Sequence, residues 1–475
     1  LFITDSNHNR IVITSLDGQL IEIIGSGAMG KQDGSYAEAT FDHPQGVALH
    51  GETLYITDTE NHLLRKVDLK NQVVSTISGI GSQAKDAWPG LDKLRPGDKP
   101  PARWVGPPKT TGLNSPWAAL VHGKDLYIAM AGPHQIWKMP LDESSIGPYA
   151  GNGREDIVDG PLLPKEPYAL GFSSFAQPSG LSTDGTSLFV ADSEGSSIRA
   201  VPFNPKSPVT TVIGTSKLEG GRLFDFGDVD GNKRVAKLQH PLDVAYHDGT
   251  IYVADTYNNK IKAVDAKTGE VKTFAGTGKS GKSDSEPSFD EPAGLSFAAG
   301  KLYVADTNNS LIRVIDIASG KVSTLTIEGL TPPTVRQKET PPDFAAAPVV
   351  ELPAVKLKPT DGKVTLQVKL ALPAGWKINP LAPAYYYVAE TSKAGLIDAA
   401  ALGKQALAKP AATFDVVLPA KPGETTVTVS MNYYYCQDEA ETGLCKVGSV
   451  VWKVPITVAD DGETSSTVLS HVVPE

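Results

Sequence analysis

One five-residue pattern recurs along the chain: apolar, aromatic, β-branched, small, Asp. It reads Leu1-Phe2-Ile3-Thr4-Asp5, Leu54-Tyr55-Ile56-Thr57-Asp58, Leu188-Phe189-Val190-Ala191-Asp192, Ile251-Tyr252-Val253-Ala254-Asp255 and Leu302-Tyr303-Val304-Ala305-Asp306. A degenerate copy, Leu126-Tyr127-Ile128-Ala129-Met130, fills the gap between the second and third. The last residues of the six copies are spaced by 53, 72, 62, 63 and 51. After each copy comes a polar turn and a second strand, then a third strand ending in Gly, as in 73–79 and 271–276. Before five of them stands a Pro-led entry: Pro44-Gln45-Gly46, Pro178-Ser179-Gly180 and Pro292-Ala293-Gly294, with Pro116-Trp117-Ala118 and Pro241-Leu242-Asp243 as variants. Four short strands per unit of this length make a β-propeller blade. Six copies predict a six-bladed propeller over residues 1–330.

The count leaves a gap. There are six Asp-ending strands and five Pro-led ones, so blade I lacks its innermost strand. The expectation is a fragment, with that strand, or that strand and a further domain, upstream of Leu1. The alternative is closure of the ring by an atypical C-terminal strand.

Composition narrows the function. The net charge is -10, and a nucleic-acid binder needs a basic face to displace counterions. No apolar run approaches the 18 residues of a membrane span. Two cysteines in 475 residues cannot form a disulfide scaffold. Most of the 45 Gly punctuate the repeat, and much of the 36 Pro lies beyond residue 330.

In such a meander the loop after the second strand shares a face with the blade-to-blade connections. Those connections carry long insertions at 80–113, 152–176, 215–239 and 277–290, and long loops inside a compact repeat tend to be functional. This face is the expected site for a protein partner, with Trp88, Arg103, Trp104, Asp228 and Asp230 as candidate contacts. Most polar repeat positions read as structural. Asp58, Asp192, Asp255 and Asp306 are expected to accept backbone N–H bonds in tight turns. Arg65, Arg199 and Arg313 are expected to brace neighbouring blades. The run Asp225–Asn232 reads as a turn and not a calcium loop, since Lys233 stands where such a loop needs Gly. No cofactor motif and no metal site is expected. Among the innermost strands only Asp243 could ligate, which weighs against a metal-dependent propeller hydrolase or lyase. A purely structural interaction scaffold is the other rival.

Residues 331–353 are Pro-rich and read as a semi-rigid linker. Period-2 alternation at 363–370, 413–418, 425–432 and 450–458 then predicts an immunoglobulin-like β-sandwich over 354–460. A polar stretch, 461–475, reads as a flexible tail. The fold class is therefore all-β, a propeller followed by a sandwich. Tyr433-Tyr434-Tyr435-Cys436 precedes an acidic loop and Cys445. The two cysteines could form a structural staple, a redox-active pair that exchanges with a thioredoxin-like partner, or two free thiols. The acidic loop would raise a thiolate pKa.

The turns carry a resemblance. The second unit holds the literal Asn61-His62-Leu63, and Asp-Thr-x-Asn-His/Asn-x-(Ile/Leu)-(Arg/Lys) recurs in the second, fifth and sixth, with Ser310 in the His/Asn place of the sixth. The first has Asp5-Ser6-Asn7-His8-Asn9-Arg10; the third departs most, with Ala131-Gly132-Pro133-His134-Gln135-Ile136. The chain thus resembles the NHL-repeat proteins. Its Tyr-x-x-Cys…Cys…Trp/Pro pattern is similar to the N-terminal domain of the thiol–disulfide exchanger DsbD, which implies that Cys436 and Cys445 are a redox pair. The order propeller, linker, sandwich resembles the thioredoxin–NHL group over nearly the whole chain. That resemblance implies a thioredoxin-like domain upstream, and lumenal or extracytoplasmic protein targets. In plants and algae it implies the thylakoid lumen of the chloroplast, in photoprotection that restrains slow antenna quenching; elsewhere it implies an extracytoplasmic or periplasmic location. The Cys-x-x-Cys of that domain is absent here, so no enzymatic role carries over with it.

Overall fold

The computed structural model describes residues 1–86, 88–95, 97–223, 225–333, 344, 347–379, 382, 385–391, 395–407, 409–437 and 445–474. The chain divides into two compact units, Leu1–Gln337 and Lys338–Glu475.

The first unit is six antiparallel sheets, one per repeat. Blade I has three strands, Phe2–Asp5, Arg10–Thr14 and Leu20–Ile24. Blades II to VI each run four strands outward from the Pro-led one, and blade II adds the two-residue strand Gly34–Ser35 at its rim. Outside blade I, where Phe2–Asp5 is half-buried, the Asp-ending strands are buried along nearly their whole length, as in Thr53–Asp58 and Thr250–Asp255. Each blade is covered on both faces by its neighbours, so these strands read as continuous apolar runs and not as alternation. Proline starts the innermost strand of blades II, III, IV and VI, and stands two residues ahead of that of blade V, because it lacks the N–H that a ladder position further in would need. Gly46 and Gly180 follow from how closely those strands approach: a Cβ on Gly46 would lie 2.6 Å from the Trp117 carbonyl, and one on Gly180 2.4 Å from Asp243. Blades VI and I meet through the Tyr303 hydroxyl on the Leu16 carbonyl (3.2 Å), Arg10 on the Thr331 carbonyl (2.9 Å) and a bridge between Gln19 and Glu328.

The second unit is a sandwich of a seven-stranded and a three-stranded sheet around Leu366, Val368, Val427, Val429, Val450 and Trp452. The expected strands stand as Lys363–Ala371, Thr413–Pro419, Gly423–Gln437 and Cys445–Val458. Two expectations change. Within the stretch read as linker, Val349–Glu351 is a strand parallel to Cys445–Val458, while 334–343 lies outside the described residues. The stretch read as a tail contains strand Ser466–Val472, which pairs in parallel with Lys363–Ala371. The Trp452 indole donates to the Ser470 carbonyl (3.0 Å), and the Tyr433 hydroxyl pairs with His471 Nε2 (2.9 Å). Ser and Thr hid this strand because only Leu469 and Val473 turn fully inward.

Candidate functional site

The turns that carry the NHL motif are joints between blades. Residues Asn9, His62, His134, Ser196 and Asn259 all have positive φ, between 44° and 55°. Asn and His are among the residues that tolerate this region best. Each side chain accepts the backbone N–H of the residue before the next blade's proline. Asn9 takes His43 (3.0 Å), His62 takes Ser115 (3.0 Å) and His134 takes Gln177 (3.2 Å). Ser196 takes His240 (3.3 Å) and Asn259 takes Glu291 (2.8 Å). The motif turns and the blade-to-blade loops therefore do share a face. Burial holds the pKa of both His62 and His134 below the usual value, which suits a neutral ring accepting at Nδ1.

Behind the joints of blades II, IV and V, and at the matching place in blade VI, lies a carboxylate clamp. Asp58 accepts the Asp42 N–H (2.8 Å), and its other oxygen binds Asn61 (2.9 Å) and Arg65 (2.7 Å). The partner N–H lies sixteen residues back in the incoming loop, so this is a tie between loop and blade and not the local turn expected. The same tie recurs at Asp192, Asp255 and Asp306. Arg65, Arg199 and Arg313 are wholly buried, each over the ring of Phe41, Phe175 or Phe289 at 5.1–5.2 Å. Each also binds a second carboxylate from the loop: Asp33 (2.8 Å), Asp159 (3.2 Å) or Asp284 (2.6 Å). These arginines thus clamp the incoming loop onto their own blade. Sequence reasoning missed the role of these carboxylates, although an Asp-Gly pair recurs at Asp33-Gly34, Asp159-Gly160 and, in blade V, Asp230-Gly231.

Blade V and blade III depart in opposite ways. In blade V, Lys262 replaces Arg and turns to Asp228 (2.6 Å) and Asp230 (2.7 Å). Burial opposes ionisation there, but hydrogen bonds from Lys260 and Lys262 to Asp228, and from Lys262 and Thr273 to Asp230, hold both carboxyls below the usual range. Burial pushes Asp58 and Asp192 up to about 6 against the pull of their arginines, and Asp255, without an arginine, up to about 7. In blade III, Met130 and Trp137 replace the ion pair, both buried, with the indole N–H on Gln135 (2.9 Å).

The candidate partner contacts divide. Trp88 and Trp104 are 1% and 6% exposed, stacked edge-on at 5.6 Å, with Tyr168 of the next insertion 6.4 Å from Trp88. Trp104 donates to the Lys165 carbonyl (3.1 Å). They form a small core joining two insertions and are not surface anchors. Arg103 is exposed. Asp228 and Asp230 are exposed but already committed to lysines.

The innermost strands line a cavity of about 240 Å³ with Gly46, Ala118, Leu181, Asp243 and Leu295, joined by Phe2–Thr4 of blade I, which has three strands among the described residues. Asp243 occupies the small-residue position of the repeat. Its carboxylate accepts the N–H of Val244 and of Leu295, both at 2.8 Å, tying blade V to blade VI, and burial pushes it up to about 7. Among the described residues no three His, Cys, Asp or Glu side chains converge to hold a metal, and no helix is long and apolar enough to cross a membrane.

The remaining candidate chemistry lies at one edge of the sandwich. In Gly423–Gln437 the odd positions Val427, Val429, Met431, Tyr433 and Tyr435 enter the core, which puts Asn432, Tyr434 and Cys436 on the opposite face. Cys436 is half-buried and disulfide-bonded, so it is not a free thiol. Its register partners are Cys445 on one side and Lys377 of strand Trp376–Ile378 on the other. Under this edge the Trp376 ring packs on Tyr435 at 5.1 Å, with the Lys446 ammonium over it at 5.1 Å. Gly448 is required here, because a Cβ would lie 2.3 Å from the Tyr433 ring. The acidic loop, 438–444, lies outside the described residues.

No protein-family model matches the chain. Protein SUPPRESSOR OF QUENCHING 1, chloroplastic, of Arabidopsis thaliana is 37% identical over 500 residues, covering 100% of this chain and 44% of its own length. NHL repeat-containing protein 2 of Homo sapiens is 35% identical over 97% of this chain and 65% of its own. The Gallus gallus protein of that name is 34% identical over 99% and 67%. The chain thus spans between about half and two thirds of the length of these relatives. Among solved structures, a nidogen/laminin complex matches at 12% identity and a TM-score of 0.42, over 69% of this chain and 92% of that one. The chain belongs to the family of NHL-repeat proteins that includes suppressor of quenching 1 and NHL repeat-containing protein 2.

Proposed function

We propose that the chain is the target-holding and disulfide-carrying part of a larger thioredoxin-like redox protein. The propeller holds a protein target on its loop-rich face. The sandwich accepts reducing equivalents through Cys436 and Cys445. A thioredoxin-like domain upstream in the same polypeptide, or a separate thioredoxin-like protein, supplies the electrons. In a plant or alga this places the work in the thylakoid lumen and in the restraint of antenna quenching, and the name of the Arabidopsis relative supports the chloroplast and the suppression of quenching; elsewhere it is extracytoplasmic.

The observation that carries the reading is the position of Cys436. It lies on the face turned from the core, near the end of its strand, partly open to solvent. Exchange proceeds by attack of a thiolate on a disulfide sulfur, so rate depends on access. One partner thiolate forms a mixed disulfide and displaces one cysteine as thiolate; the second partner thiolate then resolves it. Two electrons and two protons pass from the partner dithiol to this chain.

The test mixes the full chain with a reduced Cys-x-x-Cys thioredoxin, quenches in acid and alkylates for mass spectrometry. Both cysteines should become alkylated within minutes, with one thioredoxin oxidised per chain. A disulfide that dithiothreitol reduces but thioredoxin does not would mark it as a staple alone.

A further inference from the structure

We infer that the insertion between blades II and III docks a short acidic segment of the protein target, with the apolar side chains of that segment seated toward the next insertion. The inference rests on the reading above that the loop-rich face holds a target; it names the part of that face and the chemistry it takes. The stretch 80–113 runs against the charge of the chain. It carries Lys85, Lys93, Arg95, Lys99, Arg103 and Lys109 against Asp86, Asp92 and Asp98, in a protein of net charge -10. All six cations are exposed. Elsewhere in the propeller Lys66, Lys138, Lys217, Lys237, Lys260 and Lys262 each hold a carboxylate. None of the six does so among the described residues. One of the three acids is already engaged, since Asp98 accepts the Arg95 N–H (2.7 Å).

The stretch is also shaped for contact. The Trp88–Trp104 core and the bond from Trp104 to the Lys165 carbonyl fasten it to the insertion between blades III and IV. A surface packed in advance loses little freedom on binding. Against this core lies a groove of about 490 Å³ bordered by Ile80 and Val105, by Lys85 and Lys93, and by Asp86 and Asp92. Apolar side chains stand open beside it: Ile80 is 53% exposed, and Leu170, on the second insertion, 77%. Apolar contacts within a polar rim are the anatomy of a protein interface. The second insertion holds four acids, Glu155, Asp156, Asp159 and Glu166, against Arg154 and Lys165. It would repel an acidic run, which sets the direction: acids over 80–113, apolar residues toward Leu170. A nucleic acid or an anionic membrane would also meet the negative charge of the rest of the chain. A short segment stays within a Debye length, about 8–10 Å, of the cations alone.

The experiment titrates the full chain, by fluorescence anisotropy, into a fluorescein-labelled peptide Glu-Leu-Asp-Leu-Glu-Gly-Asp-Leu-Glu and into its counterpart with Lys at every acid. At 50 mM salt the acidic peptide should bind roughly tenfold tighter or better, and 500 mM salt should erase most of the difference. Arg95→Glu with Arg103→Glu should weaken it roughly tenfold. Lys363→Glu with Lys369→Glu, the same change of charge on the sandwich, should leave it within about twofold. Leu170→Ser should weaken it roughly threefold or more at either salt. All variants are checked for folding by circular dichroism and urea midpoint. Equal affinity for the two peptides, or equal loss in the two double variants, overturns the site. A duplex oligonucleotide or a phosphatidylglycerol vesicle that binds tighter than the acidic peptide overturns the assignment of a protein segment. Thioredoxin exchange is measured on the same proteins. A chain that thioredoxin reduces but that does not select the acidic peptide loses this site and keeps the exchange reading. A chain that selects the peptide but resists thioredoxin keeps the site and loses the exchange.

Discussion

His62 and His134 hold their joints only while neutral, because the ring nitrogen must accept an N–H. Their folded pKa values lie below the ordinary 6.5. As pH falls below that value, the unfolded chain takes up protons that the folded one refuses. Stability from these residues is therefore complete above about pH 6.5 and is lost on acidification. Asp243 and Asp255 act in the other direction. Raised to about 7, they keep protons that the unfolded chain releases near 4, so their contribution weakens as pH rises through that window. Blades I and V use Asn at the histidine position. His62→Asn with His134→Asn should therefore match wild type in urea unfolding at pH 8 and lose less stability between pH 6.5 and 5. His62→Ala should cost about 1–2 kcal/mol at pH 8, from the orphaned Ser115 N–H and the positive φ, and less at pH 5, where the histidine's own contribution is already reduced. The histidines were visible as a motif in the sequence. Their role was not, since the bond they accept comes from a residue 53 or 43 positions away.

At the level of the blade, one scaffold position accepts either an ion pair or an apolar pair. Removing one member of a buried pair strands the other charge and costs about 3–5 kcal/mol, whereas replacing both can be neutral. Arg65→Met should thus destabilise the propeller strongly by leaving Asp58 alone. Asp58→Met with Arg65→Trp, which copies blade III, should recover most of the loss in chemical denaturation; a double variant no better than the single one would contradict this. The insertion at 80–113 carries the buried Trp88 and Trp104, so its deletion should lower the melting temperature. Arg103→Glu, on an exposed site, is the cleaner test of target binding by that face. The blade count was legible because each unit repeats a buried strand ending in Asp. The burial of the tryptophans was not, because it depends on two insertions meeting.

The chain as a whole contains two units of unequal covalent constraint. Only the second carries a disulfide, and a loop as short as the eight residues between Cys436 and Cys445 contributes roughly 2–3 kcal/mol in the chain-entropy model. Calorimetry should show dithiothreitol lowering the transition of 338–475 and leaving that of 1–337 in place. In the propeller, five blade boundaries share one type of side-chain latch, each closing on the residue ahead of the next blade's proline. Amide exchange at those five N–H groups should therefore be slow and alike. Seams fastened in the same way make neighbouring blades move together, so a target gripped across two of them meets one continuous rigid surface.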